Sequence, residues 1–189
     1  MSTTGTTIAA QTGVATIWAI DSVHSSVDFS VRHLVIATVK GAFQHFDGTI
    51  HWDGEHFESA SVEARIEVHS ITTHNQVRDN HLRSADFFLA EQWPHMTFRS
   101  TRVEPTGRDQ FVIYGDLTIR DMTRPVVIAA EYLGQIRDGD GKQRAAFTGM
   151  TSINRKEFGI NWNQGLETGG VVVGDTVKVS LHISAVRQD

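Results

Sequence analysis

"VKVSLHISA", residues 177–185, alternates without a break. Val177, Val179, Leu181, Ile183 and Ala185 fall on one side of an extended chain, while Lys178, Ser180, His182 and Ser184 fall on the other. A period of two is the mark of a strand with one buried face. The same pattern recurs upstream: Val27, Phe29 and Val31 alternate with Ser26, Asp28 and Ser30, and Val62, Ala64, Ile66 and Val68 with Glu63, Arg65, Glu67 and His69. Further strands are predicted over 34–41, 48–52, 97–103, 111–119, 125–134 and 144–153. Turn signals separate them at Asp47-Gly48, Asp53-Gly54, Pro105-Thr106-Gly107 and Asp138-Gly139-Asp140-Gly141. Eight or more short strands in hairpin order define an all-β protein, either barrel or sandwich. The strand at 125–134 favours the barrel, because both of its alternating sets are apolar: Val126, Ile128, Ala130 and Tyr132 on one side, Val127, Ala129 and Leu133 on the other. It needs cover inside and outside. An eight-stranded barrel with a helix against its wall or mouth supplies both, and leaves an interior sized for one small ligand.

A chain of 189 residues is long enough for one such domain. Residues 1–16, rich in Thr and Gly, read as a flexible tail, and 17–189 as the barrel domain. The formal net charge is −5 and no segment concentrates Lys and Arg, which argues against a nucleic-acid partner. With no cysteine there is no disulfide framework and no thiolate metal site. The longest apolar run, Val126 to Ala130, is far short of the ~20 residues a membrane-spanning helix needs. "MSTTGTTIAAQTGVAT" at the start has neither the basic nor the apolar region of a secretory signal, so the expected location is cytoplasmic.

One segment departs from the strand pattern: "TTHNQVRDNHLRSADFF", residues 72–88. Thr73 followed by Gln76 fits a capping box, predicting a short helix that begins near His74. At about 100° per residue, Val77, His81, Arg78 and Leu82 share an arc of roughly 140°. Arg78 and His81 then lie on the face of the two aliphatic side chains. Two readings follow. Arg78 pairs with a structural carboxylate such as Asp21 or Asp86 while His81 packs, or both present charge to a ligand head group at the barrel mouth. A second short helix is expected from Asp86 through Phe87, Phe88 and Leu89, ended by Trp93-Pro94. Its aromatics read as core or as a lid.

Standard catalytic signatures are missing: no G-x-S-x-G, Walker loop, G-x-G-x-x-G or H-E-x-x-H occurs. His51 and His56 flank Asp53-Gly54, where a two-residue turn would set them opposite each other, but a metal site needs a third or fourth ligand that the sequence does not identify. No metal or cofactor is assigned. Asn154-Arg155, at a strand end before Phe158-Gly159, offers a cation for a structural pair or for an anionic ligand.

Several ordered blocks together carry a family resemblance: "DSVHSSVDFSVRHL" (21–34), "GAFQHFDG" (41–48), "TTHNQVRDNHLRSADFF" (72–88), "WPHMTFRS" (93–100), "GDLTI" with "TRPV" (115–126), "INRKEFGINW" (153–162) and "VGDTVKV" (173–179). Over nearly all of residues 18–186 the sequence resembles the YceI family of lipocalin-like, polyisoprenoid-binding proteins. The resemblance implies an antiparallel eight-stranded barrel with a short helical insert at about 74–91. It also implies an apolar interior that holds a long-chain isoprenoid or similar amphiphile, no established catalytic activity, and a homodimer. Arg78-Asp79 belongs to the family pattern. Many relatives carry an export signal, which is not visible here, and Asp121 stands where a turn glycine is more usual, a place aspartate tolerates in the left-handed region.

The expected function is therefore non-enzymatic binding, sequestration or transport of such a lipid. Candidate tail contacts are Phe29, Val31, Phe87, Phe98, Leu117, Phe158, Trp162 and Ile183; candidate head-group contacts are Arg78, His81, Asn154 and Arg155. The alternatives are a metal-dependent hydrolase acting on a lipid-like substrate through its histidines, and a barrel filled by its own side chains that serves as an interaction module.

Overall fold

A computed structural model describes residues 15–34, 36–165 and 172–188. β1 (Thr16–Ile20) and β2 (Ser26–His33) act as two halves of one stave. Both run antiparallel to β11 (Val173–Gln188), β1 along Ala185 to Gln188 and β2 along Val173 to His182. The break is repeated next door, where β3 (Ala37–Phe43) pairs with β2 and β4 (Phe46–Trp52) with β1. β5 (Ser61–Glu67) pairs with β4. After one 3₁₀ turn, Val68–Ser70, β6 (Ile71–Thr72) pairs with β3. β7 (His95–Pro105), β8 (Gln110–Ile119), β9 (Met122–Arg137) and β10 (Gln143–Asn154) follow as a meander from β5 to β11. The ring β1-β4-β5-β7-β8-β9-β10-β11 closes through β1 and β11, giving an eight-stranded antiparallel barrel. Closure leaves the ring without a free edge.

The topology sends the β2–β3 connection, the segment 73–94, the β8–β9 turn and the β10–β11 connection to one end. Arg120 Nη1 joins three of them, donating to Phe87 O at 3.4 Å and Gly159 O at 3.3 Å, and Leu34 N–H joins the fourth by donating to Val172 O at 2.9 Å. At the other end the interior is filled by aromatic side chains. Phe57 stacks on Trp52 at 5.3 Å and on Phe111 at 4.6 Å, while Tyr132 and Phe147 meet Trp52 edge-on at 5.5 and 5.7 Å. This floor, with Trp18, Ala145 and Ala185, is one hydrophobic cluster; the second surrounds Phe43, Phe87, Ile119, Phe158 and Ile160 near the opposite end.

The inside and outside assignments read from the alternation hold in β2, β5, β9 and β11, and several local expectations are corrected. Asp47-Gly48 is not a turn but lies within β4, opposite Arg65 and Ala64. β3 starts at Ala37 rather than at 34, because Leu34 turns the chain with φ 51°. Asp53-Gly54 is not a two-residue hairpin. Asp53 Oδ1 accepts from the backbone N–H groups of Glu55 and His56 at 2.8 Å each, opening a loop whose 3₁₀ turn, Phe57–Ser59, buries Phe57 in the floor. His51 therefore pairs with Ser61 and not with His56, which bonds Asp53 at 2.8 Å. In the β8–β9 turn the left-handed residue is Arg120, φ 58°, so Asp121 needs no special conformation. Finally, no helix among the described residues covers the outer face of β9, where Val127 and Leu133 stay more than half exposed. β1 begins at Thr16, inside the stretch read as tail; residues 1–14 lie outside the described ones.

Candidate functional site

Inward-facing residues of a solid β-protein are covered by one another, and those of this barrel are not. Val177, Val179, Leu181 and Ile183 point inward yet are only partly buried, as are Phe29, Val31 and Leu117. Their surface faces an apolar cavity of about 280 Å³ that runs from the aromatic floor toward the insert. That volume is close to the lower limit of ~300 Å³ common for small-molecule sites. Trp52, Phe57, Phe111 and Phe147 bound it at the floor, and Leu82, Phe87 and Phe88 of the insert with Ile160 and Val173 at the mouth.

Two aromatic side chains lie along the wall because glycine faces them. A Cβ at Gly115 would stand 2.5 Å from Phe98 Cζ, and one at Gly41 2.3 Å from Phe29 Cζ. Any larger residue would drive those rings into the lumen.

The insert is held by a buried carboxylate. α1 (Gln76–Arg83) starts after Asn75, whose side chain accepts from Arg78 N–H at 3.0 Å, so the cap is Asn75 and not Thr73. Asp79 is 5% exposed and accepts from Thr73 N–H at 2.8 Å and Thr73 Oγ1 at 2.5 Å. That places Asp79 and Leu82 on the docked side and leaves Val77 81% exposed, a correction to the apolar arc expected to face the protein. Beyond α1, residues 85–88 form turns, not the second helix expected from Asp86. The chain is folded back there by Phe88 N–H to Leu82 O and Ala90 N–H to Arg83 O.

Of the expected tail contacts, Phe29, Val31, Phe87, Phe98, Leu117 and Ile183 line the cavity. Phe158, 1% exposed, packs behind the wall, and Trp162 lies against His81 and Phe87 at 4.7 and 5.3 Å. Neither lines the cavity. Of the expected head-group contacts only Arg155 lines it, and its guanidinium is fully engaged. Nε donates to Gly174 O at 2.9 Å, Nη1 to Ile160 O and Trp162 O at 2.9 and 2.8 Å, and Nη2 to Val173 O at 3.3 Å, with Asp175 at 3.4 Å. Burial pushes Arg155 below the usual guanidinium range against the pull of Asp175. Arg155 thus ties the β10–β11 connection to the start of β11. Asn154 accepts from Lys156 N–H at 3.0 Å, and His81 Nε2 pairs with Asp86 at 2.8 Å. Arg78 turns away from both Asp21 and Asp86, donating from Nε to Thr73 Oγ1 at 2.7 Å and from Nη2 to Thr73 O at 2.9 Å.

The floor residues and, at the mouth, Leu82 and Phe88 were missed as site residues, although for the floor a signal existed. Stepping back by two from Leu117 along β8 passes Gly115 to reach Ile113 and Phe111, both on the cavity wall. Leu82 and Phe88 had no such signal, since the turn that aims them depends on main-chain bonds.

Comparison with known proteins gives a consistent result. The YceI-like domain model matches residues 18–185. A UPF0312 protein of Staphylococcus aureus is 38% identical over 164 residues, covering 86% of this chain and 93% of the relative. A crystal structure of the Campylobacter jejuni YceI protein superposes with a TM-score of 0.72 at 30% identity, over 84% of this chain and 90% of that one. A polyisoprenoid binding domain from Saccharophagus degradans, implicated in plant cell wall breakdown, superposes with a TM-score of 0.67 over 90% and 98% of the two chains. At 14% identity the last likeness is one of fold.

Proposed function

Because the chain belongs to the YceI-like family, we propose that its barrel binds, and thereby sequesters or carries, a long-chain isoprenoid or similar amphiphile without transforming it. The observation that carries this reading is the apolar cavity itself, walled by inward-facing side chains whose surface no protein atom covers. The fold shared with a polyisoprenoid binding domain supports the choice of ligand class. Each methylene-sized group withdrawn from water contributes ~0.8 kcal/mol before the costs of binding, whereas an exposed ion pair at a head group contributes ~0 to 1. The tail therefore sets affinity. The polar end remains at the mouth, between the insert and the β10–β11 connection.

The aromatic floor fills part of the barrel, as the interaction-module reading requires, but the room above it is what that reading does not need. Organic extraction of gently purified protein followed by mass spectrometry tests the proposal. The expected result is a chain-like amphiphile at up to one per barrel. No extracted amphiphile, together with no uptake of a polyprenol on titration, would overturn it.

A further inference from the structure

The β2–β3 hairpin turns at the mouth end of the barrel and carries aliphatic side chains there that do not line the cavity. Leu34 is 41% exposed and Ile36 86%. Leu34 holds φ at 51°, a conformation that bulky residues rarely adopt and that glycine, asparagine or aspartate would take at lower cost. Hairpin turns ordinarily offer such polar residues to water. This tip offers Leu and Ile instead.

The stem below the tip has two characters. Phe29 and Val31 face inward and line the cavity, while Arg32 and Lys40 are exposed, opposite Thr38 and Ser30 in the ladder. From Phe29 to Phe46 there is no Asp or Glu, in a chain whose formal net charge is −5. The hairpin is tied to the mouth by the Leu34 N–H bond to Val172 O, so the cavity wall continues directly into this cationic stem. An aliphatic tip above a stem that carries Arg32 and Lys40 and, from Phe29 to Phe46, no carboxylate matches the layered chemistry of a bilayer surface: acyl chains beneath, phosphates above. A protein partner would instead require a fitted socket for two isolated side chains.

We propose that this hairpin docks on an anionic lipid bilayer, with Leu34 and Ile36 entering the boundary between head groups and acyl chains and Arg32 and Lys40 at the level of the phosphates. Docking would set the cavity mouth against the membrane. Its purpose, loading or unloading an amphiphile, rests on the function proposed above, but the docking itself is measurable without any cavity ligand.

The test is sedimentation of the full chain with extruded vesicles of phosphatidylglycerol and phosphatidylcholine in equal parts, against vesicles of phosphatidylcholine alone. Binding is expected on the anionic vesicles, weakened several-fold on the neutral ones and by added salt. Ile36→Ser should lower partitioning roughly tenfold, and removing Arg32 and Lys40 together by at least that much on anionic vesicles only. Ile136→Ser, at the opposite end of the barrel and 67% exposed in the parent, should change nothing. No binding to anionic vesicles, unchanged binding by Ile36→Ser, or an equal loss with Ile136→Ser would each overturn docking. The two readings fail separately. Uptake of a detergent-dispersed polyprenol without vesicle binding sinks docking alone, and vesicle binding without polyprenol uptake supports docking while the carrier reading falls.

Discussion

The ring of Phe29 lies over Gly41 on the neighbouring strand, so closely that a Cβ there would stand 2.3 Å from Phe29 Cζ and 2.8 Å from Thr72 O. Gly41→Ala should therefore act in two ways. It forces Phe29 across the lumen and presses on the β6 backbone, lowering stability by about 1–3 kcal/mol, the usual cost of overpacking. Polyprenol affinity should fall as well, and Phe29→Leu in the same chain should restore it. Thermal melts with a titration check both, and unaltered affinity in Gly41→Ala would show that Phe29 does not bound the occupied space.

The barrel was readable because each strand chooses inside or outside by local alternation: Val177 through Ile183 and Val126 through Ile128 needed no knowledge of their partners. On a closed barrel an inward residue is also a wall residue, which is why Phe29, Val31, Leu117 and Ile183 were found together with the fold. The insert was harder. Its docked face follows the burial of Asp79 on Thr73, and a pattern search that follows apolar residues selects exposed Val77 instead. Arg155 was harder still, since its partners are the main-chain carbonyls of Ile160, Trp162, Val173 and Gly174, whose placement no side-chain pattern records.

Arg78 separates a structural cation from a ligand-binding one. Its guanidinium serves Thr73, and Arg78→Ala should cost about 1 kcal/mol of stability while changing the affinities for anionic and neutral amphiphiles by the same factor. A selective loss for the anionic ligand would assign Arg78 to the head group.

Asp79→Ala should be the more damaging change in the insert. It strands the buried N–H and hydroxyl of Thr73, at about 1–3 kcal/mol, whereas Asp79→Asn keeps an acceptor for the N–H and should lose less. Limited proteolysis within residues 73–94 should rise in the same order. Equal cleavage in all three proteins would mean that other contacts hold the insert.

A pH dependence follows from the ion pairs that span the β1–β2 break. Arg144 Nη1 donates to Asp21 at 2.6 Å and Arg144 Nε to Asp138 at 2.7 Å, joining β1 to the β9–β10 hairpin. Arg144 first, and His24 second, hold the Asp21 carboxyl down to about 2, and Arg144 likewise lowers Asp138. Both carboxyls lie below their unfolded value of ~3.9, so the stability they contribute is present above about pH 4 and is lost as the pH falls below it, for Asp21 through about 2. Arg144→Met keeps the bulk of the stem and removes the charge. Its melting temperature should lie a few degrees below the parent's from about pH 5 to 7, with the gap closing between about pH 4 and 2. Melts across that range decide the cause. A gap that persists at about pH 2 would mean that the arginine stabilises by packing its stem and not by pairing its charge.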